Sequence, residues 1–114
     1  MLYRFKILGC GSSGGVPRVG FGWGKCDPKN KKNRRLRCSL LVERISNSEK
    51  TTVLIDTGPD IREQLLTANV IDLDAVIYTH AHADHVHGID DLRTLAYRKK
   101  SKIPLWADKA TQER

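Results

Sequence analysis

The chain has 114 residues, the length of one small domain rather than two. Hydrophobic residues make up 39% and charged residues 29%, which excludes a disordered chain, and a formal net charge of +7 favours partners that carry phosphate. No run approaches the roughly 18 apolar residues of a membrane span, and the N-terminus alternates like a strand and not like a signal peptide, so we expect a cytoplasmic protein with no membrane partner.

The first half of the chain predicts strands on either side of a long loop. Residues 3–9 alternate between apolar and polar and predict a first strand. The segment 10–37 is too rich in glycine and basic residues for a regular element, and we interpret it as a glycine-rich and basic loop. A second strand is predicted over residues 38–45. A third is predicted over 51–56, antiparallel to the second and buried on both faces.

The second half alternates helices and strands. Asp60 and Glu63 have the spacing of a capping box, which predicts a helix that ends near Asn69. A fourth strand over 75–79, a helix after Gly88, a fifth strand over 103–107 and a helix capped by Asp108 follow. Strands followed by alternating helices and strands predict an α/β fold, a mixed sheet with flanking helices.

The positive charge is concentrated in the loop, where eight basic residues face a single acid. Backbone N–H groups of its glycine-rich start are suited to binding an anion. A solvated loop that keeps the protein soluble is the alternative. We predict phosphate contacts from two serines and two arginines: Ser12, Ser13, Arg34 and Arg35.

The three cysteines, Cys10, Cys26 and Cys38, do not indicate a disulfide framework, because their number is odd and their spacing is wide. We expect reduced thiols, one in a loop and two at strand ends. A second metal site that includes Cys26 and Cys38 is the alternative, although the chain has no Cys-x-x-Cys pair.

All four histidines lie within eight residues, together with an aspartate: His80, His82, His85, His87 and Asp84. Imidazole and carboxylate are ligands of zinc, manganese and iron, so this run predicts a metal site. On an extended segment His80 and His82 face the same way and reach one ion. After Ala83 the chain must turn, which directs Asp84 and His85 toward a second ion.

Paired metals about 3.5–4 Å apart clamp a phosphoryl group and activate water. The alternative is a single structural zinc bound by His80, His82, Asp84 and His85. We expect His87 to lie outside the ligand set. Asp56, at the end of the third strand, is predicted to support a ligating histidine, with a turn-starting aspartate as the alternative.

The segment from His80 to His85 resembles the His-x-His-x-Asp-His signature of the metallo-β-lactamase fold. The resemblance extends to Asp56-Thr57-Gly58 and to Gly88 at the start of a helix. The glycine-rich segment 9–17 resembles the opening of the phosphodiesterase branch, which includes the cyclic phosphodiesterase of phosphonate breakdown and, more distantly, ribonuclease Z. The resemblance implies that residues 1–114 are a partial domain, the N-terminal half of an αβ/βα sandwich, with the metal-binding loop at 80–88.

By this resemblance two divalent ions, zinc or manganese, are the cofactors. His80 and His82 would hold the first ion and Asp84 and His85 the second, with Asp84 also orienting the attacking hydroxide. The family's remaining ligands follow the signature, and no histidine follows His87. We therefore expect a di-metal phosphodiesterase of nucleotides or small phosphodiesters whose 114-residue segment alone is inactive and prone to form a homo-oligomer. The alternative is a non-catalytic basic fragment that binds nucleic acid and has an incomplete metal site.

Overall fold

The computed structural model describes residues 1–114, which form one five-stranded mixed sheet whose spatial order equals the chain order. The first three strands pair antiparallel, and the last two add in parallel after crossover helices. Predicted and observed strands agree in number and order. Their bounds are β1 (Leu2–Gly9), β2 (Ser39–Ser46), β3 (Glu49–Ile55), β4 (Ala75–Ile77) and β5 (Leu105–Trp106).

The helices are short. None combines the length and the apolar character needed to cross a membrane. The helix predicted after Gly88 begins as a 3-10 turn, Ile89–Leu92, and continues as an α-helix. Another 3-10 turn, Lys31–Asn33, lies in the basic loop. The α-helices are α1 (Ile61–Thr67), α2 (Ala83–Val86), α3 (Arg93–Lys99) and α4 (Lys109–Gln112).

The core lies on one face of the sheet. Leu41, Leu54 and Val76 are register partners on three adjacent strands, so their side chains share this face and are fully buried. Helices α1 and α3 cover it, and each buried aliphatic side chain contributes about 1.5–3 kcal/mol. The helices and the segments on either side of β4 supply the rest of the cluster: Ile61, Leu65, Leu73, Tyr78, Leu92 and Leu95.

The opposite face of the sheet is only partly covered. Val53 and Ile55 are half-buried and Ile77 is exposed, as are Phe5 and Ile7 on β1. The prediction that the third strand is buried on both faces is therefore wrong. The physical reason is that the helices pack on the other face, where only alternate residues of a strand point.

The predicted capping box of α1 is also wrong, although Asp60 does occupy the N-cap position. The Asp60 carboxylate makes no cap hydrogen bond. Its Oδ2 instead accepts the backbone N–H of Arg37 at 2.9 Å and lies 2.9 Å from Arg37 Nε. A tertiary ion pair thus displaces the local cap and ties the end of the basic loop to α1. By contrast, Asp108 does cap α4 by accepting the N–H of Thr111 at 2.9 Å.

Candidate metal centre

The histidine run begins at the carboxyl end of β4, between its neighbours β3 and β5. His82 has φ −64° and ψ 146°, so the chain is extended there. Helix α2 then begins at Ala83, which confirms the predicted turn. Asp84 and His85 therefore leave the chain in a different direction from His80 and His82.

Despite the turn, the side chains converge. The ring centroid of His80 is 4.6 Å from that of His82 and 4.1 Å from that of His85. His85 Nε2 is 3.2 Å from Asp84 Oδ2. The four residues that the sequence grouped as ligands therefore lie close to one another, but only His80 and His85 belong, with Asp56, to a group whose donor atoms all lie within 4.8 Å. The role of the four residues as ligands remains a prediction.

Asp56 orients this group from behind. Its carboxylate is buried; Oδ1 accepts the backbone N–H of Thr79 at 2.8 Å, and Oδ2 accepts the Thr79 hydroxyl at 2.7 Å. His85 Nδ1 is 2.6 Å from the same Oδ2. Because the Thr79 hydroxyl donates to Asp56, its oxygen accepts from His80 Nδ1 at 2.8 Å. Asp56 therefore orients His85 directly and His80 through Thr79.

These hydrogen bonds determine which ring nitrogen of His80 and of His85 is available to bind a metal. Both use Nδ1 for a hydrogen bond, so Nε2 is the nitrogen left for a metal. Donor atoms of Asp56, His80 and His85 lie within 4.8 Å of one another. Since three hydrogen bonds already engage the Asp56 oxygens, we interpret Asp56 as an orienting group and not as a ligand.

The segment after Asp56 fastens the metal-binding loop. The N–H of Thr57 donates to the carbonyl of His85 at 2.8 Å, and the N–H of Gly88 donates to the carbonyl of Thr57 at 2.8 Å. A Cβ on Gly58 would overlap the carbonyl oxygen of Asp84. The Thr57 hydroxyl also bonds the phenol of Tyr78 at 2.8 Å, where burial raises the pKa of Tyr78. These contacts hold the metal-binding loop against the segment that follows β3.

Replacing Asp56 with asparagine is expected to weaken metal affinity about 10–100-fold, the usual cost of removing an orienting carboxylate. The amide keeps the size, but its single oxygen cannot accept all three hydrogen bonds that the two carboxylate oxygens accept, and its NH2 group would face another N–H donor. Competition with a chelator on the full-length protein measures the affinity. The matched control is Asp72→Asn, which removes only a surface pair with Lys99. An affinity that is equal in both variants would contradict the orienting role.

The glycine-rich and basic parts of the loop lie side by side. Gly11 N–H donates to the carbonyl of Leu36 at 2.7 Å, and Val16 and Arg35 exchange two backbone hydrogen bonds of 2.9 and 2.8 Å. The predicted phosphate contacts therefore belong to one connected surface. All four of these residues, Ser12, Ser13, Arg34 and Arg35, are exposed, and their contact with phosphate remains a prediction.

All three cysteines are free thiols. Cys26 is exposed in the loop, whereas Cys38 donates its S–H to the carbonyl of Gly11 at 3.2 Å. Burial raises the pKa of the Cys38 thiol, and the negative charge of nearby Asp84 adds to the effect. Neither Cys26 nor Cys38 belongs to a converging group of three metal-binding side chains, so the structure does not support the alternative of a second, cysteine-containing site.

Sequence reasoning missed two contacts, one inside the metal centre and one that ties the basic loop to α1. Thr79 joins Asp56 to His80, and Arg37 holds Asp60 across 23 residues. A threonine before a histidine run and an arginine in a basic loop are both too common to be informative. Their roles depend on contacts that only the folded chain makes.

Comparison with known proteins places the chain in a family. A family model described as a beta-lactamase superfamily domain matches residues 51–114, more than half of the chain. The octanoyltransferase of Porphyromonas gingivalis is 45% identical over 100 residues, which are 88% of this chain and 20% of that protein. The hydroxyacylglutathione hydrolase of Vibrio campbellii is 42% identical over 50 residues, which are 42% of this chain and 19% of that protein.

Solved structures agree with this fold. A diphosphatase of the PhnP family is 38% identical with a TM-score of 0.85, and the match covers 98% of this chain and 44% of that one. YhfI of Bacillus subtilis, a metallo-beta-lactamase fold protein, has 21% identity and a TM-score of 0.65 over 97% of this chain and 38% of that one. The chain thus spans a fifth of the two curated relatives and less than half of the two solved ones.

No transferase activity carries over from the octanoyltransferase, because the match covers only a fifth of that protein. The histidine signature, the mixed sheet and the matched family model agree with one another. The chain belongs to the β-lactamase superfamily and has the first part of the metallo-β-lactamase fold.

Proposed function

We propose that the full-length protein is a di-metal phosphodiesterase that acts on a nucleotide or a small phosphodiester. The observation that carries the proposal is the convergence of His80, His82, Asp84 and His85 in front of the buried Asp56 carboxylate. The likeness to a diphosphatase of the PhnP family supports phosphate chemistry.

The donor set fits divalent ions. His80 and His85 use Nδ1 for hydrogen bonds and keep Nε2 free, and imidazole with carboxylate suits zinc or manganese. His80 and His82 would hold one ion, and Asp84 and His85 the other. When bound, such ions polarise phosphoryl oxygens and lower the pKa of water.

The chain's own residues position the reactants. The Asp84 carboxylate would accept a hydrogen bond from the attacking water and aim it at phosphorus. The buried Asp56 Oδ2 keeps the proton of His85 at Nδ1 and thereby fixes the tautomer of that ring. The exposed Ser12, Ser13, Arg34 and Arg35 would bind the phosphate oxygens that face away from the metals.

The proposal is tested on the full-length protein by metal analysis and by hydrolysis of bis-p-nitrophenyl phosphate. We expect two divalent ions for each chain and turnover with zinc or manganese. A single ion and no hydrolysis with zinc, manganese or iron would instead favour a structural metal site.

Neutralising Lys31, Lys32, Arg34 and Arg35 with glutamine is expected to flatten the salt dependence of substrate or nucleic-acid binding. Each lost phosphate contact lowers the slope of log affinity against log salt by roughly 0.7–0.9. Affinity measured across a salt series gives the slope. The control neutralises Lys6 and Lys102, which are exposed and lie outside the loop. An unchanged slope would leave the loop as a solubilising segment.

A non-catalytic nucleic-acid-binding role is the second candidate, and the exposed basic loop favours it. Affinity for RNA or DNA without hydrolysis of any phosphodiester would support that role. Hydrolysis by the full-length protein that is lost when Asp84 is replaced would exclude it.

A further inference from the structure

Two of the three free thiols lie on neighbouring segments of the chain. Gly9, the last residue of β1, pairs with Ser39, the first residue of β2. An isolated bridge joins Gly11 to Arg37. Between these two pairs, a cysteine occupies the intervening position on each segment: Cys10 and Cys38. The two cysteines therefore stand opposite each other, at the two ends of the glycine-rich and basic loop.

The glycines on either side of Cys10 allow the two backbones to approach closely. A Cβ on Gly9 would overlap the carbonyl oxygen of Arg37, and a Cβ on Gly11 would come within 2.8 Å of the carbonyl oxygen of Leu36. Gly11 also donates its N–H to the Leu36 carbonyl at 2.7 Å. Opposite residues of an antiparallel pair have Cα atoms about 4.5–5.5 Å apart, which is within the range of about 4.4–6.8 Å that a disulfide spans.

The Cys38 thiol is directed toward the segment that contains Cys10. Its Sγ lies 3.2 Å from the carbonyl oxygen of Gly11, the residue that follows Cys10. Burial raises the pKa of Cys38, and nearby negative charge, which includes that of Cys10, adds to the effect. Cys10 is exposed, whereas Cys38 is half-buried, so a dissolved oxidant reaches Cys10 first.

We propose that Cys10 and Cys38 are a redox-active pair that a peroxide converts into a disulfide. The cross-link joins the two ends of the loop 10–37 and closes it into a ring, which contains all four of the predicted phosphate contacts. Cys26 is exposed within the loop, and no strand pairing or bridge places it opposite a cysteine. The modification site goes beyond the proposed phosphodiesterase function and does not depend on it.

The oxidation takes two steps. The Cys10 thiolate attacks one oxygen of hydrogen peroxide, so that an S–O bond forms, the O–O bond breaks and hydroxide leaves. The Cys38 thiol then loses its proton and attacks Sγ of Cys10, so that the S–S bond forms, the S–O bond breaks and a second hydroxide leaves. The two released protons convert both hydroxides to water. Two thiols are oxidised, one peroxide is reduced, and a dithiol reductant reverses the reaction.

The test uses the full-length protein, which is first reduced and then treated with equimolar hydrogen peroxide. Remaining thiols are blocked with N-ethylmaleimide, and the protein is digested with trypsin without reduction and analysed by mass spectrometry. We expect the peptide of residues 7–18 to be joined to the peptide of residues 38–44, with a mass that is lower than their sum by two hydrogen atoms. Dithiothreitol should separate the two peptides.

Single variants identify the partners. Cys26→Ser should keep the linked peptides, whereas Cys10→Ser and Cys38→Ser should each remove them. In Cys38→Ser the sulfenic acid on Cys10 has no partner and should react with dimedone. Thiols within one domain have millimolar effective concentrations, so with about 10 µM protein the internal link should exceed links between two molecules about 100-fold.

Three results would overturn the proposal. Oxidation of Cys10 to sulfinic acid while Cys38 stays reduced would show that the two sulfur atoms do not meet. Links that contain Cys26 in similar yield would show random pairing of thiols. Protection of both thiols from N-ethylmaleimide that a chelator abolishes, without the loss of two hydrogen atoms, would make the pair a metal site instead.

Discussion

Replacing Asp84 with alanine is expected to remove one of two bound metal ions and to lower the rate of phosphodiester hydrolysis about 10³-fold. The Asp84 carboxylate lies 3.2 Å from His85 Nε2, the nitrogen that hydrogen bonding leaves free. In the proposed mechanism its loss removes a metal ligand and the group that orients the attacking water. A metal ion supplies several kcal/mol of transition-state stabilisation, and each 1.36 kcal/mol is about tenfold in rate.

Metal analysis and the initial rate with bis-p-nitrophenyl phosphate measure this effect on the full-length protein. His87→Ala is the matched control from the same loop. His87 is exposed at the end of α2, where its backbone N–H donates to the carbonyl of Ala83. The control should keep both ions and most of the rate. An Asp84→Ala protein with two ions and a nearly unchanged rate would refute the assignment of Asp84.

Replacing Gly88 with alanine is expected to destabilise the protein by about 3 kcal/mol or more, the upper range for overpacking a close-packed site. Gly88 has φ −89°, which any residue adopts, so backbone conformation does not require glycine here. Contact does. A Cβ at this position would overlap the carbonyl oxygen of Gly58 and approach Ile61 Cγ2 to 2.6 Å.

Urea denaturation of the full-length protein measures the free energy of unfolding. Gly20→Ala is the informative comparison, because Gly20 has φ +81° and open space around it. That change costs only the left-handed backbone conformation, about 1 kcal/mol. The N–H of Gly88 donates to the carbonyl of Thr57 and so helps to hold the metal-binding loop in place. Displacing Gly88 should therefore also weaken metal affinity, whereas Gly20→Ala should not. Equal stability of the two variants would show that the loop can move to make room.

The sequence predicted the elements of this fold well where local pattern decides them. The five strands and three of the four α-helices follow from alternation, helical periodicity and turn residues, whereas α2 was predicted only as a turn. Asn69, with φ +54°, follows the end of α1 as its position predicts. Two local predictions failed because long-range contacts prevailed. Asp60 pairs with Arg37 and not with its own helix, and the helices cover only one face of β3.

By itself the sequence determined the family signature and the grouping of the candidate ligands, because His80, His82, Asp84 and His85 lie within six residues. Spacing this short constrains the positions of side chains whatever the rest of the chain does. Only the tertiary structure decided what surrounds them. Asp56 reaches His85 across 29 residues, and Asp60 pairs with Arg37 across 23 residues. Such contacts depend on how β3, β4 and the glycine-rich loop come together, which no local pattern in the sequence encodes.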